Sequence, residues 1–215
     1  MKMMEDPGYT STPEEAEFEL RAHIGSIWSG GRLFIGMYTF LLASLVFSYF
    51  YLRSANNGLL WRPDHITAPT HYGWAVFLAT VATGIMAVTG QRRLRGGALV
   101  DWQVAGWTAL TTSVIALIVQ IWELSSLPFY PGSSGYASTF IGFSVFNIMT
   151  LVITSFWLET TLARSHHLGR ERGRITLLST DADAQSWRAN VSAMTYFVGF
   201  VALSGAFLFA MFYQL

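Results

Sequence analysis

The sequence predicts an all-α membrane protein built as a bundle of five transmembrane helices, and two observations support this prediction. Of the 215 residues, 52% are hydrophobic and 12% are charged, whereas a soluble domain carries roughly 25% charged residues. The chain also contains five long stretches without any charged side chain. Each is long enough to cross a hydrocarbon core of about 30 Å, which takes roughly 20 helical residues.

The five uncharged stretches define the expected domain organisation. They lie at about 33–52, 72–90, 102–122, 136–158 and 190–215. Because they are continuously apolar and much longer than a tilted barrel strand of about 10 residues, their backbone groups must be satisfied within helices. Residues 33–215 therefore form one predicted bundle, and residues 1–32 form an N-terminal tail. In that tail, Thr12 and Pro13 precede a run of glutamates, which indicates a helix start; a surface helix and a partner-docking arm both fit this pattern.

Positive charge predicts the orientation, because short loops kept in the cytoplasm carry an excess of Lys and Arg. Eleven of the 13 basic residues fall in the N-terminal tail, between spans two and three, or between spans four and five. The other two, Arg53 and Arg62, follow the first span. We therefore expect the N-terminus to be cytoplasmic and the C-terminus to be external.

Composition and histidine positions argue against several classes of function. The formal net charge is zero, so no basic field favours nucleic acid. Cysteine is absent, which excludes thiolate metal sites and Fe–S clusters in this chain. None of the five histidines lies in a predicted span, so we expect no haem ligand at membrane depth and no catalytic, cofactor-binding or metal-binding residue. A loose metal site formed by Asp64, His65 and His71 remains an alternative, whereas His166 and His167 are expected in a basic, solvated loop.

Few polar residues interrupt the apolar spans, and no ionisable residue lies inside them. Asn147 is near the middle of span four, Gln120 is near the end of span three, and Glu123 is just past it. Such residues most simply form interhelical hydrogen bonds, each worth about 0.6 kcal/mol on average. In span two, small residues recur at helical spacing and predict a face that packs closely on another helix: Ala75, Ala79, Thr83 and Ala87.

Two segments carry a recognisable pattern: RLFIGMYTFLLASLVFSYFYLR, which ends in Tyr49 to Arg53, and QIWEL, which has a Gln-x-x-Glu motif at Gln120 and Glu123. Both resemble segments of subunit III of haem-copper respiratory oxidases, the family that includes subunit III of cytochrome c oxidase, and the first is the most specific match. Spans four and five resemble the last helices of that family in position and pattern. The resemblance covers roughly residues 30–215 and implies a short form with five helices.

The sequence also departs from the family's usual polar positions. Where the family commonly has a buried carboxylate in its first shared helix, this chain has Tyr38. The two usual histidines of the fourth span fall at Asn147 and Thr150, and an aspartate of the last span falls at Gly199. Roles that depend on those family residues are therefore not transferred to this chain.

The resemblance implies an accessory subunit without a redox centre in the aerobic respiratory chain of a bacterial plasma membrane. Its expected partners are the haem-bearing subunit I and subunit II, which would hold haem and copper, together with bound phospholipid. Its expected role is to stabilise the catalytic subunit of a complex that reduces oxygen and translocates protons. A subunit-III-like accessory protein of nitric oxide reductase is the main alternative. An unrelated small membrane scaffold or facilitator is another.

Overall fold

The computed structural model describes residues 12–56, 60–63, 66–171 and 177–214. Within these ranges the protein is built from five long α-helices and contains no β-strand. The helices are α1 (Pro13–Ala55), α2 (Thr70–Arg95), α3 (Leu99–Ser125), α4 (Gly135–Glu171) and α5 (Ala182–Tyr213). All five are long and apolar enough to cross a membrane. The predicted all-α architecture with five long apolar helices is confirmed.

Several helices extend well beyond the uncharged stretches. The expected helix start in the N-terminal tail is confirmed: the Thr12 side chain accepts a hydrogen bond from the Glu15 N–H, and the Glu15 carboxylate accepts one from the Thr12 N–H. From there α1 runs without a break into the first apolar stretch. At the other end of the chain, α4 continues to Glu171 and includes His166 and His167, so the prediction that this pair lies in a loop was wrong. Charged side chains at a helix end leave the backbone hydrogen bonds intact, so they do not stop the helix.

Four of the helices form a closed ring, and the fifth packs on its outside. Contacts join α2 to α3, α3 to α4, α4 to α5 and α5 back to α2. Helix α1 contacts only α4 and α5 to any extent. In the most apolar stretch of α1, 11% of the residues are buried inside the protein, whereas in the corresponding stretch of α5 44% are buried. Helix α5 is therefore the central element, and α1 has the most surface left for lipid or a partner.

The predicted small-residue stripe of α2 is only partly an interface. Thr83 and Ala87 are buried, but Ala79 is half-buried and Ala75 is exposed, so the stripe does not pack along its whole length. Helix α2 approaches α5 closely at Gly84 instead: a Cβ atom there would lie 2.5 Å from the Ala202 Cβ.

Aromatic clusters occupy both ends of the ring. At the end where α1, α3 and α5 finish, buried aromatic side chains from α1, α4, α5 and the loops pack together: Tyr49, Trp61, Phe129, Tyr136, Phe140, Phe143 and Phe212. At the opposite end, Trp102 and Trp187 meet edge to face with ring centres 4.9 Å apart, among buried leucines of α2, α3 and α4. The first of these two ends also carries the polar residues described next.

Candidate functional site

A buried hydrogen-bonded network joins three helices of the ring near the end of α3. The Gln120 side-chain amide donates to the Glu123 carboxylate at 2.7 Å, and the Asn147 amide donates to the Gln120 carbonyl oxygen at 2.8 Å. From α5, the Tyr213 hydroxyl donates to the other oxygen of the Glu123 carboxylate. The three polar residues that the sequence singled out individually are thus brought into one site, which we refer to as the Glu123 network.

Glu123 is the only carboxylate among these four residues, and it is almost completely enclosed. It lies in the last turn of α3, which continues to Ser125, and its side chain is 1% exposed. The sequence placed Glu123 just past the predicted span 102–122, and the structure shows that α3 continues beyond that span and encloses this side chain. Among the described residues no Lys, Arg or His nitrogen lies within 4 Å of its carboxylate. Two neutral donors, rather than a cation, hold it.

Tyr213 reaches the carboxylate because a glycine leaves room for its ring. A Cβ atom at Gly73 would lie only 2.4 Å from the Tyr213 ring, so any larger residue would displace that ring. The ring also stacks on Phe209 at 5.2 Å between centres. Nothing in the sequence pairs Tyr213 with Glu123, since the two are far apart along the chain and an apolar helix end with a tyrosine is common.

A small cavity of about 60 Å³ lies beside the network and is bounded by all four ring helices. We refer to it as the Glu123 cavity. Its polar lining consists of Thr80, Gln120, Glu123, Ser144, Asn147 and Tyr213. The remainder of the lining is mainly aromatic and aliphatic, with Phe77, Phe140 and Phe212 among the members. A buried carboxylate facing a partly polar cavity can accept hydrogen bonds from a small ligand or hold a proton.

The Tyr49 to Arg53 motif lies at the same end of the molecule. The Tyr49 hydroxyl donates to the Met211 carbonyl of α5 at 3.1 Å, and Arg53 donates to the Tyr49 oxygen at 3.4 Å. Tyr49 is 2% exposed, and its ring meets Trp61 edge to face at 5.1 Å between centres. This motif therefore fastens the end of α1 to the end of α5. It does not contact the Glu123 network directly but shares the α5 terminus with it.

Tyr38 is buried midway along the contact of α1 with the ring. Its hydroxyl oxygen lies 3.4 Å from that of Ser204. Its ring packs on Phe146 at 4.9 Å and on Phe200 at 5.5 Å between centres. The position is thus a packing contact of α1 with α4 and α5, and its hydroxyl makes polar contacts with Ser204 and Thr150.

The histidines are not gathered into a site in the part of the chain that the structure describes. Asp64 and His65 lie outside the described residues, so the alternative metal site in the first loop stays a prediction. His71 packs on its neighbour Tyr72 at 4.1 Å between ring centres. His166 accepts a long hydrogen bond of 3.4 Å from the Trp107 indole. Within the described ranges no three His, Cys, Asp or Glu residues are grouped as metal ligands would be.

No protein-family model matches the chain, and no curated protein matches it. The Glu123 network, the adjoining cavity and the Tyr49 to Arg53 contact are therefore the features from which a function is argued.

Proposed function

We propose that the chain is an accessory subunit, without a redox centre of its own, of a haem-copper oxidase complex, in the position of subunit III. One observation carries the proposal. The segments that resemble that family are also the segments that fasten the bundle together at one end: Tyr49 and Arg53 of α1 bind α5, while Gln120 and Glu123 of α3 bind α4 and α5. In this proposal those residues are structural, and the redox chemistry belongs to the partner subunits.

The exposed face of α1 supports association with a large membrane partner. Its apolar side chains point away from the ring over most of its length, with Leu33, Met37 and Phe40 all more than half exposed. A lipid-facing helix has the same composition, so the face is compatible with either neighbour. The haem-bearing subunit I is the partner proposed here, with subunit II in the same complex.

A large groove supports the binding of phospholipid. It lies between α2 and α5, has a volume of about 1060 Å³, and is lined mostly by apolar side chains. Arg92 and Arg95 line one end of it, and the buried amide nitrogen of Gln91 in the same lining has no hydrogen-bond partner among the described residues. Guanidinium groups and an amide donor suit a phosphate headgroup, and the apolar walls suit acyl chains.

Co-purification tests the partner directly. The chain carrying an affinity tag is expressed in its native host, extracted in mild detergent, and examined by optical spectroscopy and by identification of the accompanying chains. The proposal predicts a haem-bearing subunit in the eluate, with a Soret band that belongs to that partner. A tagged preparation that carries no haem protein under conditions that preserve other respiratory complexes would contradict it.

Deletion of the gene tests the role. We expect a residual complex with unchanged haem absorption and normal initial turnover, but with activity that decays sooner during sustained catalysis. Immediate loss of electron transfer with intact haem content and assembly would contradict an accessory role. Turnover of nitric oxide rather than oxygen by the co-purified complex would instead identify the nitric oxide reductase alternative.

A further inference from the structure

The Glu123 carboxylate has fewer hydrogen-bond donors than its burial demands. An ionised carboxylate offers about four acceptor positions, and in this protein two donors approach it, Tyr213 and Gln120. Its side chain is 1% exposed, and the described residues place no cation within 4 Å of it. Ionisable groups buried inside a membrane protein are costly unless they are paired or face water. Further donors at the remaining acceptor positions therefore lower the cost of burying this carboxylate.

On the facing helix α2, the Thr80 hydroxyl also lacks hydrogen-bond partners among the described residues. It is buried and makes no hydrogen bond with any of them. Threonine in a helix usually donates back to the carbonyl four residues earlier, and Thr83 one turn away does so, to Ala79 at 2.9 Å. The Thr80 methyl group lies against α5, where a Cβ atom at Gly205 would be 3.3 Å from it. The hydroxyl is thus left without a partner on a side chain that lines the Glu123 cavity.

We infer that the Glu123 cavity is an internal water-binding site, in which bound water donates to the Glu123 carboxylate and hydrogen-bonds the Thr80 hydroxyl. A cavity of about 60 Å³ has room for about two water molecules, and buried water typically bonds about three otherwise unsatisfied polar groups. The Thr80 hydroxyl is such a group, and Glu123, Ser144 and Asn147 line the same space with further polar atoms.

The water site adds two properties to the protein that the proposed accessory function does not include. Water in the cavity links α2 to a network that otherwise joins only α3, α4 and α5, so all four ring helices share one polar cluster. It also gives the Glu123 carboxylate a medium through which a proton can be exchanged near the end of the bundle. All residues of the site belong to this chain, so the test of the water site does not depend on the partner subunit proposed above.

The absence of cysteine from the chain permits a direct test. Thr80→Cys introduces a single thiol, whose S–H stretching band falls in an infrared region free of other protein bands, and contact with water converts S–H to S–D after transfer to D₂O. Thr83→Cys is the matched control, because Thr83 lies on the same helix, is equally buried, and bonds Ala79 and Thr112 rather than facing the cavity. Both variants are studied as the full chain in lipid nanodiscs.

We expect the Thr80→Cys thiol to exchange at least tenfold faster than the Thr83→Cys thiol. Adding Ser144→Leu, which places an apolar side chain in the cavity, is expected to slow the exchange of Thr80→Cys to the rate of the control. Equal rates for the two single variants would overturn the inference. A structure of the unmodified chain at a resolution that shows ordered water gives an independent reading: density between Glu123 and Thr80 supports the site, and a dry cavity refutes it.

Discussion

Tyr213→Phe is the substitution that tests the Glu123 network most cleanly. It removes the one hydroxyl that α5 offers to the carboxylate and keeps the ring, so the stacking on Phe209 and the fit against Gly73 are retained. A neutral interhelical hydrogen bond in a membrane protein is worth about 0.6 kcal/mol on average, whereas hydrogen bonds to charged groups are worth about 1.5–3 kcal/mol. Because Glu123 is enclosed and without a cation, we expect a loss of about 1.5–2 kcal/mol.

The assay is reversible unfolding in mixed detergent micelles, followed by tryptophan fluorescence. The expected loss corresponds to a roughly 10- to 30-fold change in the unfolding equilibrium constant. Tyr51→Phe is the matched control, since Tyr51 is 61% exposed. In a Glu123→Leu background, Tyr213→Phe should cost less than about 0.5 kcal/mol, because the partner of the hydroxyl is gone. Equal costs in the two backgrounds would refute the claim that the hydroxyl acts through the carboxylate.

Four further predictions concern packing, topology and cofactors. Gly84→Ala should lower the free energy of unfolding by about 1–3 kcal/mol, because its methyl group would overlap Ala202. In the same assay Gly36→Ala, whose methyl group meets no atom within 4 Å, should instead raise it by about 0.5–1 kcal/mol, because alanine is the better helix former. Reporter fusions after Arg95 should read as cytoplasmic and fusions near Ser133 as external; a cytoplasmic signal at Ser133 would reverse the proposed orientation. The purified chain alone should lack a Soret band, and a stoichiometric haem on it would contradict this. A carbodiimide should not label the peptide around Tyr38, and Tyr38→Glu should restore labelling; modification of the unaltered peptide would show that the proposed correspondence with the family is misplaced.

The existence and type of all five helices followed from the sequence, whereas their ends did not. In lipid the backbone must satisfy its own hydrogen bonds, so each long uncharged stretch is expected to form an α-helix. No such constraint acts where the helices leave the apolar region. Only the start of α1 carried a local signal, the Thr12, Pro13 and Glu15 capping pattern. The continuation of α4 to Glu171 had no comparable mark.

The candidate site was predictable in its members but not in its assembly. Gln120, Asn147 and Glu123 attract notice because polar side chains are rare among apolar neighbours. Their convergence depends on how α3, α4 and α5 are rotated about their axes, which the spacing of residues within one helix does not determine. Thr80 had no sequence mark at all, because many threonines in these helices make ordinary bonds to their own backbone. Thr80 differs from these threonines because its hydroxyl makes no hydrogen bond with any described residue.

Glu123 also opposes the local preference of the helix on which it lies. It occupies the last turn of α3, where the helix dipole disfavours a negative charge, and that turn contains no basic residue to compensate. The carboxylate is therefore stabilised by tertiary contacts, chiefly the Tyr213 hydroxyl from α5 and the Gln120 amide one turn earlier. Because these donors come from α3 and α5, and Asn147 of α4 donates to the Gln120 carbonyl oxygen, the burial of this group couples three helices. A leucine at this position would satisfy both the helix and the apolar surroundings, so local structure alone does not account for a carboxylate here, and functional sites are where such violations are expected.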